Sequence, residues 1–246
     1  MFNGKNVLIT GAGSGIGLAV AHELATQGAA RLVLVDRDAA SLATIDLPCE
    51  TVRLPGDVTD EAFWSSADIG PLDHAVINAG ISGAGPIADL EFAEWRRILS
   101  VNLDGAFLSL RAALRNIRDG GSIVAVASTA GLKPESGVAA YCTSKAGLIQ
   151  LARVAAKESA GRGVRVNAIA PGGVETPIWD SVPMFADRAA EVGRDAAFAE
   201  MGSFGAPLKR FAKPEEIAEQ IAFLLSDSCR NVTGSVFVSD GGYTLR

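Results

Sequence analysis

Tyr141 and Lys145 stand four residues apart at the start of a helix-period stretch, so their side chains project from one face. A free phenol ionises near pH ~10, and acid–base work near neutrality needs that value lowered by roughly 2–3 units. A neighbouring ammonium favours the phenolate, which is the required sign. The same spacing arises on ordinary exposed helices, so the pair alone carries little. Ser128 adds to it. It closes the apolar run Val124-Ala125-Val126-Ala127-Ser128, thirteen residues before Tyr141, and strand C-termini are where doubly wound sheets keep their ligands.

A second group lies at the other end of the chain. The first apolar run passes into Thr10-Gly11-Ala12-Gly13-Ser14-Gly15-Ile16-Gly17 and from there into a helix pattern. Glycines here let the backbone turn tightly and approach a pyrophosphate, and the helix N-terminus supplies N–H donors. The spacing is TGxxxGxG, with Gly11, Gly15 and Gly17 at the defining positions, rather than the general GxGxxG. The second apolar run ends Leu34-Val35-Asp36. A carboxylate at that strand end can accept both ribose hydroxyls of NAD and repels a 2′-phosphate. Arg37, next in sequence, could instead hold NADP, and Asp36 and Asp38 could simply begin a helix.

These residues need a scaffold, and the chain supplies one. Its 246 residues, 48% hydrophobic and 20% charged, suit one domain over residues 1–246. The runs Asn6 to Thr10, Arg31 to Asp36, Thr51 to Leu54, His74 to Asn78, Ser122 to Ala127, Arg165 to Ala170 and Ser235 to Ser239 are near-continuously apolar. That marks strands covered on both faces. Helix-period segments fall between them at Ile16 to Gln27, Phe92 to Arg115, Ala139 to Ser159 and Pro214 to Leu225. The alternation predicts an α/β fold, a Rossmann-type doubly wound sheet of about seven mainly parallel strands with helices on both faces. Mean hydropathy is +0.25, yet no run approaches the roughly 18 apolar residues of a membrane helix. A net charge of −6 and the absence of a basic, aromatic-interleaved cluster argue against nucleic acid. Cys49, Cys142 and Cys229 show no CxxC spacing, and His22 and His74 have no ligand-like neighbours, so neither a disulfide framework nor a metal site is expected. The N-terminus carries no signal-peptide pattern, which points to a cytoplasmic protein.

Taken in order, Thr10 to Gly17, Asn78-Ala79-Gly80, Asn102, Ser128, Tyr141 with Lys145, Pro171-Gly172 with Thr176, and Val238-Ser239-Asp240-Gly241-Gly242 resemble the short-chain dehydrogenase/reductase family in its compact form. The resemblance runs along essentially the whole chain. It implies that Tyr141 is the general acid for ketone reduction and general base for alcohol oxidation. Lys145 would lower the tyrosine pKa and hold the nicotinamide ribose. Ser128 would hydrogen-bond the substrate oxygen and stabilise its developing charge. Asn102 would occupy a helix irregularity and anchor a water relaying protons to Lys145. The family also implies that Gly11, Ser14, Gly15, Ile16 and Gly17 meet the pyrophosphate, that Asp57 and Val58 contact adenine, and that Asn78, Ala79 and Gly80 flank the adenosine ribose. Val174 and Thr176, following Pro171 and Gly172, would orient the carboxamide. The cofactor expected is NAD, the substrate a small alcohol or ketone, and the assembly a homotetramer with the helices from Ala139 and Pro214 between subunits.

The chain departs from the family pattern in two places. The stretch from Asp57 to Asn78 is short, so its helix is expected to be clipped. The segment of about 176–207 is long, carrying Ile178, Trp179, Met184, Phe185, Phe198, Met201 and Phe204; it is expected to be a substrate lid, or two helices packed on a neighbouring subunit. Cys142 points about 100° away from Tyr141 and reads as a packing residue, as do Trp64 and Trp95. Glu135 could touch substrate. The expected activity is NAD-linked interconversion of a secondary alcohol and a ketone. A 3-oxoacyl thioester reductase is the alternative, disfavoured by Asp36, and a non-catalytic NAD-binding scaffold is disfavoured by the intact Ser128, Tyr141 and Lys145.

Overall fold

The computed structural model describes residues 1–245. Seven strands form one sheet: β1 (Asn6–Thr10), β2 (Arg31–Asp36), β3 (Glu50–Pro55), β4 (Leu72–Ile77), β5 (Ile117–Val126), β6 (Arg165–Pro171) and β7 (Val236–Ser239). Their spatial order is β3-β2-β1-β4-β5-β6-β7, and each neighbouring pair runs parallel. The apolar runs are apolar because both faces are covered: Val7, Leu8 and Ile9 of β1 are fully buried, as are Leu32, Val33, Leu34 and Val35 of β2. One face packs against α1 (Gly15–Thr26) and α9 (Pro214–Leu225), the other against α3 (Glu61–Ser66), α5 (Ala106–Asn116) and α6 (Ala139–Ser159). The order reverses between β1 and β4, so a crevice opens at the C-terminal ends of those strands.

Local chemistry accounts for most element boundaries. Asp38 caps α2 (Ala39–Ala43) by accepting from the Ala40 and Ser41 amides. Pro214 sits in the first turn of α9, and Glu216 reaches back to the Lys213 amide at 2.8 Å. The helix between β3 and β4 is indeed clipped, α3 having six residues. The segment expected as one helix from Phe92 to Arg115 is instead α4 (Phe92–Leu99), a π-helical turn over Ser100–Gly105, and α5. Beyond β6, a 3₁₀ turn (Pro177–Ser181) leads into α7 (Pro183–Val192) and α8 (Arg194–Gly205). These two helices enclose a small aromatic core of their own, with Phe185 and Phe198 buried and Trp179 and Met201 packed against them, while Met184 and Phe204 face outward.

Candidate active site

The C-terminal edge of the sheet gathers the singled-out residues from strands far apart in sequence. Gly11 and Gly15 have φ of +66° and +53°, which only glycine adopts readily. A Cβ on Gly17 would fall on the Gly11 carbonyl oxygen. The side-chain amide of Asn78 donates to the carbonyls of Thr10 and Gly11 at 3.0 and 3.1 Å. In return, the Thr10 hydroxyl accepts from the backbone amides of Asn78 and Ala79 at 3.0 and 3.2 Å. The glycine turn and the Asn78-Ala79-Gly80 stretch are thereby one rigid unit. Ser14 caps α1 with extended backbone and no side-chain cap bond, so its hydroxyl is not committed to the helix, and Ile16 follows in the first turn, half-buried.

At the next strand end, the Asp36 carboxylate accepts from Gly13 N at 2.9 Å and from Asp38 N at 3.0 Å, tying the end of β2 to the glycine turn. Asp57 accepts from the amide and hydroxyl of Thr59, both at 2.8 Å, within its own turn. Val58 buries its side chain against Gly105 and presents its carbonyl to the Trp64 indole at 2.9 Å. On the other side of the crevice, Pro171 ends β6 and Gly172 N donates to Ser239 O at 2.9 Å. Val174 bridges to Ala212, and buried Thr176 lies against Gly15, where an added Cβ would meet its methyl group at 3.2 Å.

Between these two walls sit the proton-handling candidates. Ser128 leaves β5 and caps a 3₁₀ turn through its hydroxyl, 3.2 Å from Ala130 N. Lys145 is only 4% exposed; its Nζ donates to Val126 O at 2.9 Å and lies 5.7 Å from the centre of the Tyr141 ring. Burial pulls its ammonium down from 10.5 to about 8, so it remains mostly protonated at neutral pH. In the protein alone, burial pushes the Tyr141 phenol above its ordinary value, while the neighbouring Ser128 hydroxyl works in the opposite sense. The direction is the reverse of what an acid–base role near neutrality needs.

Asn102 does lie in a helix irregularity, the π-helical turn, but its fully buried side chain is already spoken for. Oδ1 accepts from Ile81 N at 2.8 Å, and Nδ2 donates to Ile81 O at 2.9 Å and to the Ser144 hydroxyl at 3.1 Å. Ser144 in turn donates to Tyr141 O at 2.7 Å. A Cβ on Gly80 would stand 3.4 Å from both Asn102 Oδ1 and Lys145 Nζ, so the bare glycine keeps that space open.

Sequence reasoning missed several participants. Neither Ser144 nor the bonds of the Thr10 hydroxyl to Asn78 and Ala79 can be read from the sequence, because a hydroxyl in a helix or strand gives no local sign of its partner. Glu135 accepts from the Tyr243 hydroxyl, and Lys133 lies 4.4 Å from the centre of the Tyr243 ring. The C-terminal segment thus holds the loop between Ser128 and Tyr141. Lys133 and Glu135 both being within reach of one aromatic near the chain end had no signature in spacing.

Comparison with known proteins decides the family. A family model described as enoyl-(acyl carrier protein) reductase matches residues 11–244. The 2-(S)-hydroxypropyl-CoM dehydrogenase 3 of Xanthobacter autotrophicus is 39% identical, covering 97% of this chain and 96% of its own. The chain belongs to the short-chain dehydrogenase/reductase family. This short-chain dehydrogenase/reductase is also 38% identical to the cis-4-hydroxycyclohexanecarboxylate dehydrogenase of Sinomonas cyclohexanicum, over 99% of this chain and 98% of that one. Its fold matches the crystal structure of levodione reductase with a TM-score of 0.87 and 35% identity, over 100% and 99% of the two chains. It is an oxidoreductase, and the Rossmann-type sheet predicted from its sequence is the fold it adopts.

Proposed function

We propose that this enzyme interconverts a moderately apolar secondary alcohol and its ketone with NAD(H), using Tyr141 to carry the proton. The observation that carries this reading is the convergence of Ser128, Tyr141 and buried Lys145 at the C-terminal end of β5, between β4 and β6 in the sheet. The residues fit a dinucleotide. Gly11, Gly15 and Gly17 let the turn close against Ala79, Thr176 and its own backbone where Cβ atoms would collide, which leaves Ser14 and Ile16 at the helix N-terminus for the pyrophosphate. Asp36 would take the adenosine ribose hydroxyls, Asp57 and Val58 the adenine, and Asn78, Ala79 and Gly80 the neighbouring wall. Val174 and Thr176, after Pro171 and Gly172, would orient the carboxamide. The bound nicotinamide supplies hydride chemistry and, when oxidised, a positive charge. In alcohol oxidation Tyr141 accepts the hydroxyl proton; in ketone reduction it returns one to the carbonyl oxygen. Ser128 holds that oxygen. Protonated Lys145 favours the phenolate and would hold the nicotinamide ribose, and Asn102 fixes the wall beside it, where a relay water would sit.

The segment of about 176–207 forms the lid over the substrate, and the chain makes one domain. Two relatives named for a hydroxycyclohexanecarboxylate and for levodione direct the first choice of substrates to 4-hydroxycyclohexanecarboxylate and levodione. A thioester reductase of biosynthesis would draw on NADPH, which the Asp36 carboxylate repels. A homotetramer accords with two exposed apolar faces, one carrying Phe107 and Val154, the other Phe223, Phe237 and Val238 beside the open edge of β7. The three free thiols suit a reducing, cytoplasmic setting. Among the described residues no helix is long and apolar enough to cross a membrane. The test is a spectrophotometric screen of secondary alcohols with NAD⁺ and NADP⁺, and of levodione with NADH and NADPH, with Tyr141→Phe as the blank. NADH formation lost in the blank is expected; turnover with NADP⁺ instead, or substantial activity in Tyr141→Phe, would overturn the assignment.

A further inference from the structure

The lid is tied back to the backbone at Val174 and Thr176, and two of its side chains do the tying. The Trp179 indole Nε1 donates to Val174 O at 2.9 Å. The Arg194 guanidinium donates to Thr176 O at 2.8 Å through Nη2, and its Nη1 pairs with the Asp180 carboxylate. The same guanidinium lies 5.4 and 5.1 Å from the ring centres of Phe185 and Phe198. Trp179 stacks on Phe211 with centroids 5.1 Å apart and planes 27° off parallel. The Phe211 ring occupies the space a side chain at Gly173 would need, so the aromatic core of the lid rests directly on this backbone.

Local preference does not explain Arg194. It is the first residue of α8, where a cation opposes the helix dipole. Its contacts do explain it: a planar fork can satisfy a carbonyl and a carboxylate while lying on aromatic faces, and an ammonium cannot do all three. The peptide carbonyls it and Trp179 hold belong to the two residues that bracket Glu175, so the path of the backbone after β6 is fixed from the lid side. We propose that Arg194, assisted by Trp179, is a positioning residue for the nicotinamide end of the cofactor, coupling the seating of the lid to nicotinamide binding. The inference rests on the reading of Val174 and Thr176 as nicotinamide contacts. Coupling of this kind is reciprocal, so whatever loosens the lid weakens nicotinamide binding.

The test is titration of the full chain with NADH and with ADP-ribose, which carries the adenosine and pyrophosphate but no nicotinamide. Arg194→Ala is expected to raise the NADH dissociation constant roughly tenfold, the scale of one lost charged hydrogen bond. ADP-ribose affinity should stay within about twofold. Arg194→Lys should recover part of the loss. Trp179→Phe keeps the ring stack and removes the N–H donor; it should show the same selective loss, smaller in size, and it serves if Arg194→Ala does not fold. Equal losses for both ligands, or no loss for either, would overturn the proposal. Wild-type protein that binds neither ligand would overturn the cofactor reading and the proposal with it, whereas intact wild-type binding with unselective variants refutes the coupling alone.

Discussion

Lys145 holds an ammonium that is 4% exposed, with the Val126 carbonyl at 2.9 Å as its hydrogen-bond partner. Burial lowers its pKa from 10.5 to about 8. Between those values the unfolded chain binds the proton and the folded chain does not, so this group makes stability rise with pH across that window. Below about 8 both states are protonated and the folded state carries the full cost of the buried charge. The gap corresponds to about 3 kcal/mol at ~1.4 kcal/mol per pH unit. Lys145→Met removes the charge and nearly keeps the shape. It also leaves the Val126 carbonyl without its donor, which costs ~1–3 kcal/mol independently of pH. The informative quantity is therefore the slope and not the offset. Urea unfolding of Tyr141→Phe and of Tyr141→Phe/Lys145→Met, at one protein concentration between pH 7 and 10.5, removes the phenol titration from the comparison. The lysine-bearing protein should gain about 3 kcal/mol on its partner over that range. A difference that stays flat would refute the claim that Lys145 is held charged at a desolvation cost.

Three further substitutions follow from the site. Asp36→Ala should weaken NAD binding by roughly 10- to 100-fold and narrow the discrimination against NADP, since a ribose acceptor and a repelling charge go together; unchanged preference in a two-cofactor titration would count against the role of Asp36. Gly17→Ala drives a methyl group onto the Gly11 carbonyl, and should cost about 1–3 kcal/mol in thermal or urea unfolding and abolish measurable NADH binding. Wild-type affinity in that variant would mean the turn is not the pyrophosphate cradle. Asn102→Ala strands Ile81 and removes the link to Ser144. A loss of about 2–4 kcal/mol is expected with a larger fall in kcat than in cofactor affinity, and a stability change below about 0.5 kcal/mol would refute its bridging role.

What the sequence determined by itself was whatever depends on neighbours along the chain. Continuous apolar runs specified strands buried on both faces, and α6 and α9 begin and end where their periodicity and the Pro214 start signal put them. Tyr141 and Lys145 share a face because helix geometry is local, and the glycine turn was legible because positive φ at Gly11 and Gly15 restricts the residue type. Long-range contacts decided the rest. Strand β5 begins at Ile117, five residues before its apolar run, because Ile117 pairs with Leu72 of β4 while Arg118 and Asp119 fall in an irregularity between that pair and the next, Ser122 with His74. The π-helical turn at Asn102 inserts one residue into a helix, which a pattern with a period near 3.6 does not register. The partnership of Asn78 with Gly11 spans 67 residues, that of Tyr243 with Glu135 spans 108, and Arg194 meets Thr176 across an intervening helix. Such pairs have no signature in spacing. A hydrogen bond between distant residues is chosen by how the layers pack, and packing exists only once the chain has closed on itself.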